Sequence, residues 1–422
     1  MAAFDLLVQN ASEVLCVQGD PGQPAEQALT PIARGAVGVV NGCISYLGMS
    51  KELPPDAVGP RTEVIDAQGG FVGPGFVDPH THLIFAGERS AEFELRCRGA
   101  SYREIANSGG GIASTVRATR AASEEQLVEL GRRRLWTLLE QGVTCAEAKS
   151  GYGLSLEQEL KMLRAIRRLS AIQPVELIAT LLCAHAVPEE LKSERDRYLQ
   201  ICIAEIIPAA AEARLARFCD AFVDESAFSG EEARRVLRAG ANCGLIPRLH
   251  ADQLSDEAGA ELAAELRASS ADHLELVSRA GIEALSRANV SAILAPTSTL
   301  FLRQRAFAPG RQLIDAGVNV ALATNLNPGS AMSENVALTC GLACLGNGLS
   351  AAEAYWGLTR GAALALRRLD LGTLTIGGPA DLVVFGCRSY RHLPYHLGVN
   401  HARWVVKSGR AVVRADPHPL CE

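Results

Sequence analysis

The chain has 422 residues, 48% hydrophobic and 21% charged, with a formal net charge of −6 and no basic run. That composition is ordinary for a soluble globular protein, is long enough for a large domain plus a smaller one, and argues against nucleic acid as a partner. The longest apolar runs, such as the one around Leu177 to Val187, are too short to span a bilayer, and Met1-Ala2-Ala3-Phe4-Asp5 lacks the charged stretch and apolar core of a secretory signal.

The first seventy or so residues read as short strands and turns. They include Asp5–Val8, a loop over Gly19–Pro24, then Gly35–Val40 and Cys43–Leu47 around Asn41-Gly42, a strong hairpin signal. The chain then alternates strand and helix. Strands are expected at Phe76–Asp78, Val143–Glu147, Leu177–Ala184, Ala221–Asp224, Ile246–Leu249, Ala271–Asp272, Ala292–Leu294 and Val318–Ala323. Amphipathic helices are expected between most of them, for example Glu124–Glu140, Leu156–Leu169 and Glu231–Ala241. Eight β/α units argue for a closed parallel (β/α)8 TIM barrel, and no dinucleotide glycine fingerprint follows any strand. After Pro379 the short-strand style returns with Asp381–Phe385, Trp404–Val406 and Ala411–Val413. Neither end holds enough strands for its own sheet, so the two ends are expected to pair into one small β-sandwich domain. The expected division is 1–72 and 366–422 for that domain and 73–365 for the barrel.

Twelve cysteines are scattered without a CxxC pair, which fits reduced thiols in a cytoplasm better than a disulfide framework. The nine histidines are more informative. His80, His82, His185, His250 and His273 fall at or just beyond expected strand C-termini, while His392, His396, His401 and His418 lie in the tail. In a barrel, strand C-termini share one mouth. His80 and His82, spaced i, i+2, point the same way from a strand, as two ligands of one divalent metal would. The assignment is His80, His82 and His250 as metal ligands, with His185 and His273 left for substrate contact or proton transfer. Lys149 invites comparison with a carboxylated lysine bridging two metals. That role belongs after the fourth strand, where Asp224-Glu225-Ser226 contains no lysine, so a single metal is expected.

A histidine pair after the first strand, one histidine after the fifth and another after the sixth resemble the amidohydrolase superfamily. The segments Ala86-Gly87-Glu88-Arg89-Ser90, Gly109-Gly110-Gly111-Ile112, Lys149-Ser150-Gly151-Tyr152-Gly153, Cys183–Pro188, His250-Ala251-Asp252-Gln253 and Ser270–Leu274 further resemble its imidazolonepropionase family. The resemblance implies hydrolysis of 4-imidazolone-5-propanoate to N-formimidoyl-L-glutamate in histidine degradation. It also implies one divalent or trivalent metal ion, zinc or iron, and a homodimer. The substrate implied is a small anion with a cyclic amide. Arg89 offers a planar fork for its carboxylate, though it also reads as a solvated charge. By resemblance Tyr152, His185, Gln253, Asn327, Gly329 and Ser330 hold substrate or product; Tyr152 equally reads as a packing aromatic. Gln253 can hydrogen-bond the ring but cannot relay a proton as glutamate would.

One position departs from the family pattern. Its Asp-x-Asn-Pro-Gly motif, whose aspartate touches the metal and acts as base, here reads Asn325-Leu326-Asn327-Pro328-Gly329. An asparagine carbonyl binds metal weakly and accepts no proton from water. Asn325 is therefore expected at most as a weak ligand. The proton falls to His273, His185 or bulk hydroxide, with His273, Gln253 and Asn325 as the candidate catalytic set. Two other readings stay open at this stage: a heterocycle deaminase of the same superfamily, or a weakly active or binding-only relative.

Overall fold

The computed structural model describes residues 3–20, 22–99 and 110–415. Gly109 of the glycine run and His418 of the tail lie outside the described residues. Seven short strands open the chain: β1 (Leu6–Gln9), β2 (Glu13–Val17), β3 (Leu29–Ala33), β4 (Gly35–Val40), β5 (Cys43–Met49), β6 (Glu63–Asp66) and β7 (Val72–Pro74). Asn41 and Gly42 have φ of 51° and 78°, the backbone that a tight β4–β5 hairpin requires and that these two residue types tolerate.

The barrel follows as β8 (Phe76–Asp78), β9 (Val143–Lys149), β10 (Glu176–Ala184), β11 (Phe218–Ala221), β12 (Ile246–Pro247), β13 (Leu249–Ala251), β14 (Ser270–His273), β15 (Ser291–Leu294) and β16 (Val320–Leu322). All of these pair in parallel. β12 and β13 are one stave interrupted at Arg248, following Pro247, which has no N–H to donate. The fourth strand spans Phe218–Ala221, three residues earlier than the expected Ala221–Asp224, and its Asp220 is buried in an ion network. Two arcs, β12-β11-β10-β9-β8 and β13-β14-β15-β16, curl toward each other. At one junction Val223 N donates to His250 O at 3.0 Å; at the other, Asn325 N donates to His80 O at 3.1 Å and His82 N to Leu326 O at 2.9 Å. The closing contacts thus run through the candidate ligands themselves.

The outer helices follow the apolar periodicity. Glu124–Glu140 buries Leu127, Leu135, Leu138 and Leu139 and starts with a Ser123/Gln126 capping box. Gly230–Asn242 starts the same way with Ser229 and Glu232.

After the barrel come β17 (Leu382–Phe385), β18 (Ala402–Lys407) and β19 (Arg410–Arg414). They join strands from the other end in a six-stranded sheet, β19-β18-β17-β7-β2-β3, while β5-β4-β1-β6 forms a second sheet from the N-terminal part alone. Val8, Val37, Val39 and Ile65 of one sheet and Val14, Val72, Leu382 and Val384 of the other share one apolar cluster. β7 runs into β8 through Gly75 alone, and Gly75 N donates to Asp381 O at 3.0 Å. The sheet built from both ends therefore leads directly into the strand that precedes His80.

Candidate active site

Alternation along the barrel strands stacks the interior in layers. At the bottom Val77, Cys145, Ile178, Phe218, Ile293 and Ala321 pack with the helix Arg360–Ala365. Above them, at the next inward positions, Glu147, Lys149, Asp220, Arg248 and Asp272 form a buried ion network. Lys149 Nζ lies 2.8 Å from Glu147 Oε1, 2.7 Å from Asp220 Oδ2 and 3.7 Å from Asp272 Oδ2. Arg248 Nη2 lies 3.0 Å from Asp272 Oδ2, and Nη1 3.3 Å from Glu147 Oε1. Burial favours the neutral form of Asp272, but Arg248 and Lys149 outweigh it and hold the carboxyl below its ordinary range. Three carboxylates against two cations leave one negative charge beneath the next layer. Lys149 is thus an ion-pair partner at the end of the second barrel strand.

The next layer holds the histidines. His80 Nε2 and His250 Nε2 each lie 3.3 Å from His82 Nε2, and the ligand atoms of all three residues fall within 4.8 Å of one another. His80 donates Nδ1–H to Asp272 Oδ2 at 2.6 Å, which leaves its Nε2 lone pair facing the other rings. His250 Nδ1 sits 3.1 Å from Asp220 Oδ2. Burial above all, then the nearby Lys149 for His80 and His250 and His185 for His82, holds these imidazoles well below the usual histidine range. Neutral rings with converging lone pairs repel one another unless a cation lies between them. Nitrogens about 2.1 Å from a tetrahedral ion stand about 3.4 Å apart, close to the spacing here. Carboxylates behind ligand imidazoles are the usual outer shell of such a centre. The residues present fit one metal ion.

Asn325 is buried, adopts φ 53°, and its Oδ1 has no hydrogen-bond partner among the described residues. Left-handed backbone suits asparagine and aspartate alike. His273 is buried beside His80 and His250, with ring centroids 5.3 Å from each. It has φ 84° and is followed by Leu274 at φ 68°, two successive residues in a costly region, as functional sites often show. His185 donates Nδ1–H to Gly151 O at 2.9 Å, so its Nε2 is an acceptor. Burial pushes both His185 and His273 down to about 4.

These groups open onto a cavity of about 250 Å³ that is also lined by Arg89, Tyr152, Phe222, Gln253, Gln304, Asn327, Gly329 and Ser330. The structure brings every candidate site residue read from the sequence to this cavity or, for His80, to the metal cluster beneath it. No carboxylate lines it among the described residues. Tyr152 packs against His185 and His82 with its ring buried. Asn327 is engaged within its own turn: Nδ2 donates to Asn325 O and Ser330 Oγ, and Oδ1 accepts from the amides of Gly329 and Ser330. Asp220, Arg248, Asp272, Glu147 and Gln304 were not singled out from sequence as site residues. For the four charged residues the available signal was charge along otherwise apolar barrel staves; Gln304, which lies in no strand, offered none.

A parallel barrel with a three-imidazole centre at its C-terminal mouth defines a metal-dependent hydrolase architecture. A family profile described as "Amidohydrolase family" matches residues 63–107 and 108–413. Imidazolonepropionase of Myxococcus xanthus (strain DK1622) is 66% identical over 414 residues, covering 98% of each chain. Imidazolonepropionase of Geobacillus kaustophilus (strain HTA426) is 45% identical over 97% of this chain and 98% of its own. The fold also matches E. coli guanine deaminase (TM-score 0.75, 18% identity, 97% of this chain and 100% of that one). This chain belongs to the amidohydrolase family and, within it, to the imidazolonepropionases.

Proposed function

We propose that the protein hydrolyses the cyclic amide of 4-imidazolone-5-propanoate to N-formimidoyl-L-glutamate, a step of histidine degradation. The observation that carries this is the three converging imidazole Nε2 atoms at the floor of a cavity whose lining includes the cation Arg89 and no carboxylate among the described residues. His80, His82 and His250 would hold a single zinc or iron ion, with the Asn325 carbonyl beside it. Such an ion, when bound, polarises the ring carbonyl and brings the pKa of water to about 7. Arg89 receives the propanoate. The His185 Nε2 lone pair accepts a ring N–H, and the Gln253 amide and Tyr152 hydroxyl complete the hold on the ring. His273 takes a proton from the attacking water and returns it to the ring nitrogen as the C–N bond breaks, a role Asn325 cannot fill. We extend the reading to a homodimer and to the cytoplasm, in keeping with eleven described cysteines that are all free thiols.

The test is turnover of 4-imidazolone-5-propanoate by purified protein of measured metal content, beside Asn325→Asp. The expected result is about one bound ion per chain and wild-type turnover of about 1 per second or more. An inert wild type beside an active Asn325→Asp would instead make the natural chain a binding protein. Ammonia release from a heterocyclic amine, with the imidazolone untouched, would make it a deaminase.

A further inference from the structure

The guanidinium expected to greet the substrate is already held on one side. Arg89 donates both Nε–H and Nη2–H to the same oxygen, Glu92 Oε2, at 2.9 and 2.7 Å. Their side chains are only 9% and 13% exposed, so this pair is shielded in a way that most i, i+3 surface pairs are not. The same Oε2 accepts a third hydrogen bond, at 3.1 Å, from Gly111 N at the start of the helix Ile112–Ala121.

The guanidinium is planar, so anchoring the Nε–Nη2 edge fixes the opposite Nη1 end in space. That end lies against Gly329, where an added Cβ would collide with Nη1. From the same helix, Ser90–Cys97, Arg96 Nη2 donates to Gly329 O at 3.0 Å. This helix buries no residue of its own. It is held by Phe93 and Arg96 against the Phe301 ring and by polar contacts, of which the two described here reach the Asn327–Ser330 turn and the Gly111 loop. Both of those segments line the cavity through Ile112, Asn327, Gly329 and Ser330.

We infer that Glu92 is a positioning residue for carboxylate recognition: it anchors one edge of Arg89 so that the Nη1 end faces the cavity, and it thereby sets the preference for an acid over a neutral substrate. Glu92 lines no part of the cavity; it acts through Arg89. An unanchored arginine would lose several rotamers' worth of freedom on each binding event, and a pre-oriented one does not. The Asn327 amide, engaged within its turn, offers the acid no equivalent fork.

The inference rests on the proposed substrate class. Its test compares kcat/KM for 4-imidazolone-5-propanoate with that for the corresponding propanamide, which keeps the ring and loses the charge. In Glu92→Gln, which is isosteric, the acid-over-amide preference should fall about tenfold through a raised KM for the acid, with kcat for the acid within about threefold. Glu92→Asp keeps the charge with a shorter reach and should lie between the two; it gives the same reading if Glu92→Gln fails to fold. In an Arg89→Gln background, Glu92→Gln should change the preference no further, because its effect runs through the arginine. Equal losses on acid and amide, or additive losses in the double variant, would overturn the assignment of Glu92 while leaving the hydrolase reading intact. A wild type that leaves the acid unchanged removes both.

Discussion

Among single residues, the most consequential is the one that departs from the family pattern. Asn325 keeps the backbone geometry an aspartate would adopt, bonded to His80 O and in the left-handed region, but supplies a neutral carbonyl. Charge around the three imidazoles is then provided from behind: Glu147, Asp220 and Asp272 together exceed Lys149 and Arg248 by one negative charge, and Asp272 and Asp220 face His80 and His250. A further buried carboxyl, outside the ion network, lies next to the candidate proton carrier. Glu275 Oε1 accepts from the Thr299 hydroxyl at 2.8 Å, and Oε2 is 3.9 Å from His273 Nδ1. Burial pushes Glu275 up to about 7 from its ordinary 4.5, against the opposing Thr299 hydrogen bond. The folded state therefore prefers the protonated acid. Its contribution to stability is fully present below about pH 4.5, declines as only the unfolded chain ionises, and is lost once pH passes about 7. The full difference is on the order of 3 kcal/mol. Glu275→Gln mimics the neutral form at every pH, so the denaturation free energy of the variant relative to wild type should rise between pH 5 and pH 8. A gap that stays constant across that range would show that Glu275 is ionised in the fold.

Elements matter here mostly through what they hold in place. The helix Leu156–Ile172 buries Glu159 in its first turns, and that carboxylate accepts from the amides of Gly151, Gly153 and Leu154 at 2.8 to 3.2 Å. The loop so held carries Tyr152 and presents Gly151 O to His185 Nδ1. One helix thus sets both the place of an aromatic wall and the tautomer of an imidazole. In Glu159→Ala the amides of Gly151, Gly153 and Leu154 lose their acceptor, at a cost of about 1–3 kcal/mol for each buried donor left without a partner. The expected result is a lower denaturation midpoint together with a fall of about tenfold in kcat/KM, since His185 loses its fixed orientation. A variant destabilised to that extent but with wild-type kcat/KM would show that the loop is set by other contacts. Helix positions of this kind were legible in the sequence only as periodicity: Glu124–Glu140 has the expected bounds, whereas the inward turn of Glu159 had no local signal.

In the whole molecule, the metal cluster is the place where the barrel closes. His80 and His82 exchange backbone hydrogen bonds with Asn325 and Leu326, and His250 O accepts from Val223 N at the other junction. Metal binding should therefore be coupled to the stability of the closed barrel. Stripping the ion with a chelator is expected to lower the thermal midpoint and restoring zinc or iron to recover it, with a stabilisation of about 4 kcal/mol at a thousandfold excess over Kd. An unchanged midpoint after verified metal loss would show that closure stands on hydrogen bonds and packing alone. The sequence by itself determined the barrel class, the His80–His82 pair and His250, because alternation in strands and the shared mouth of strand C-termini follow from local geometry. Tyr152, Gln253, Asn327, Gly329 and Ser330 were legible only through the family resemblance of their segments. The amino-acid order also carried the amide at Asn325. Only the tertiary structure decided that Asp220, Asp272, Lys149 and Arg248 form one buried network behind the imidazoles, that Arg89 is already anchored by Glu92, and that strands from both chain ends share the sheet leading into His80. Those outcomes depend on contacts between segments far apart in the chain, which no local periodicity encodes.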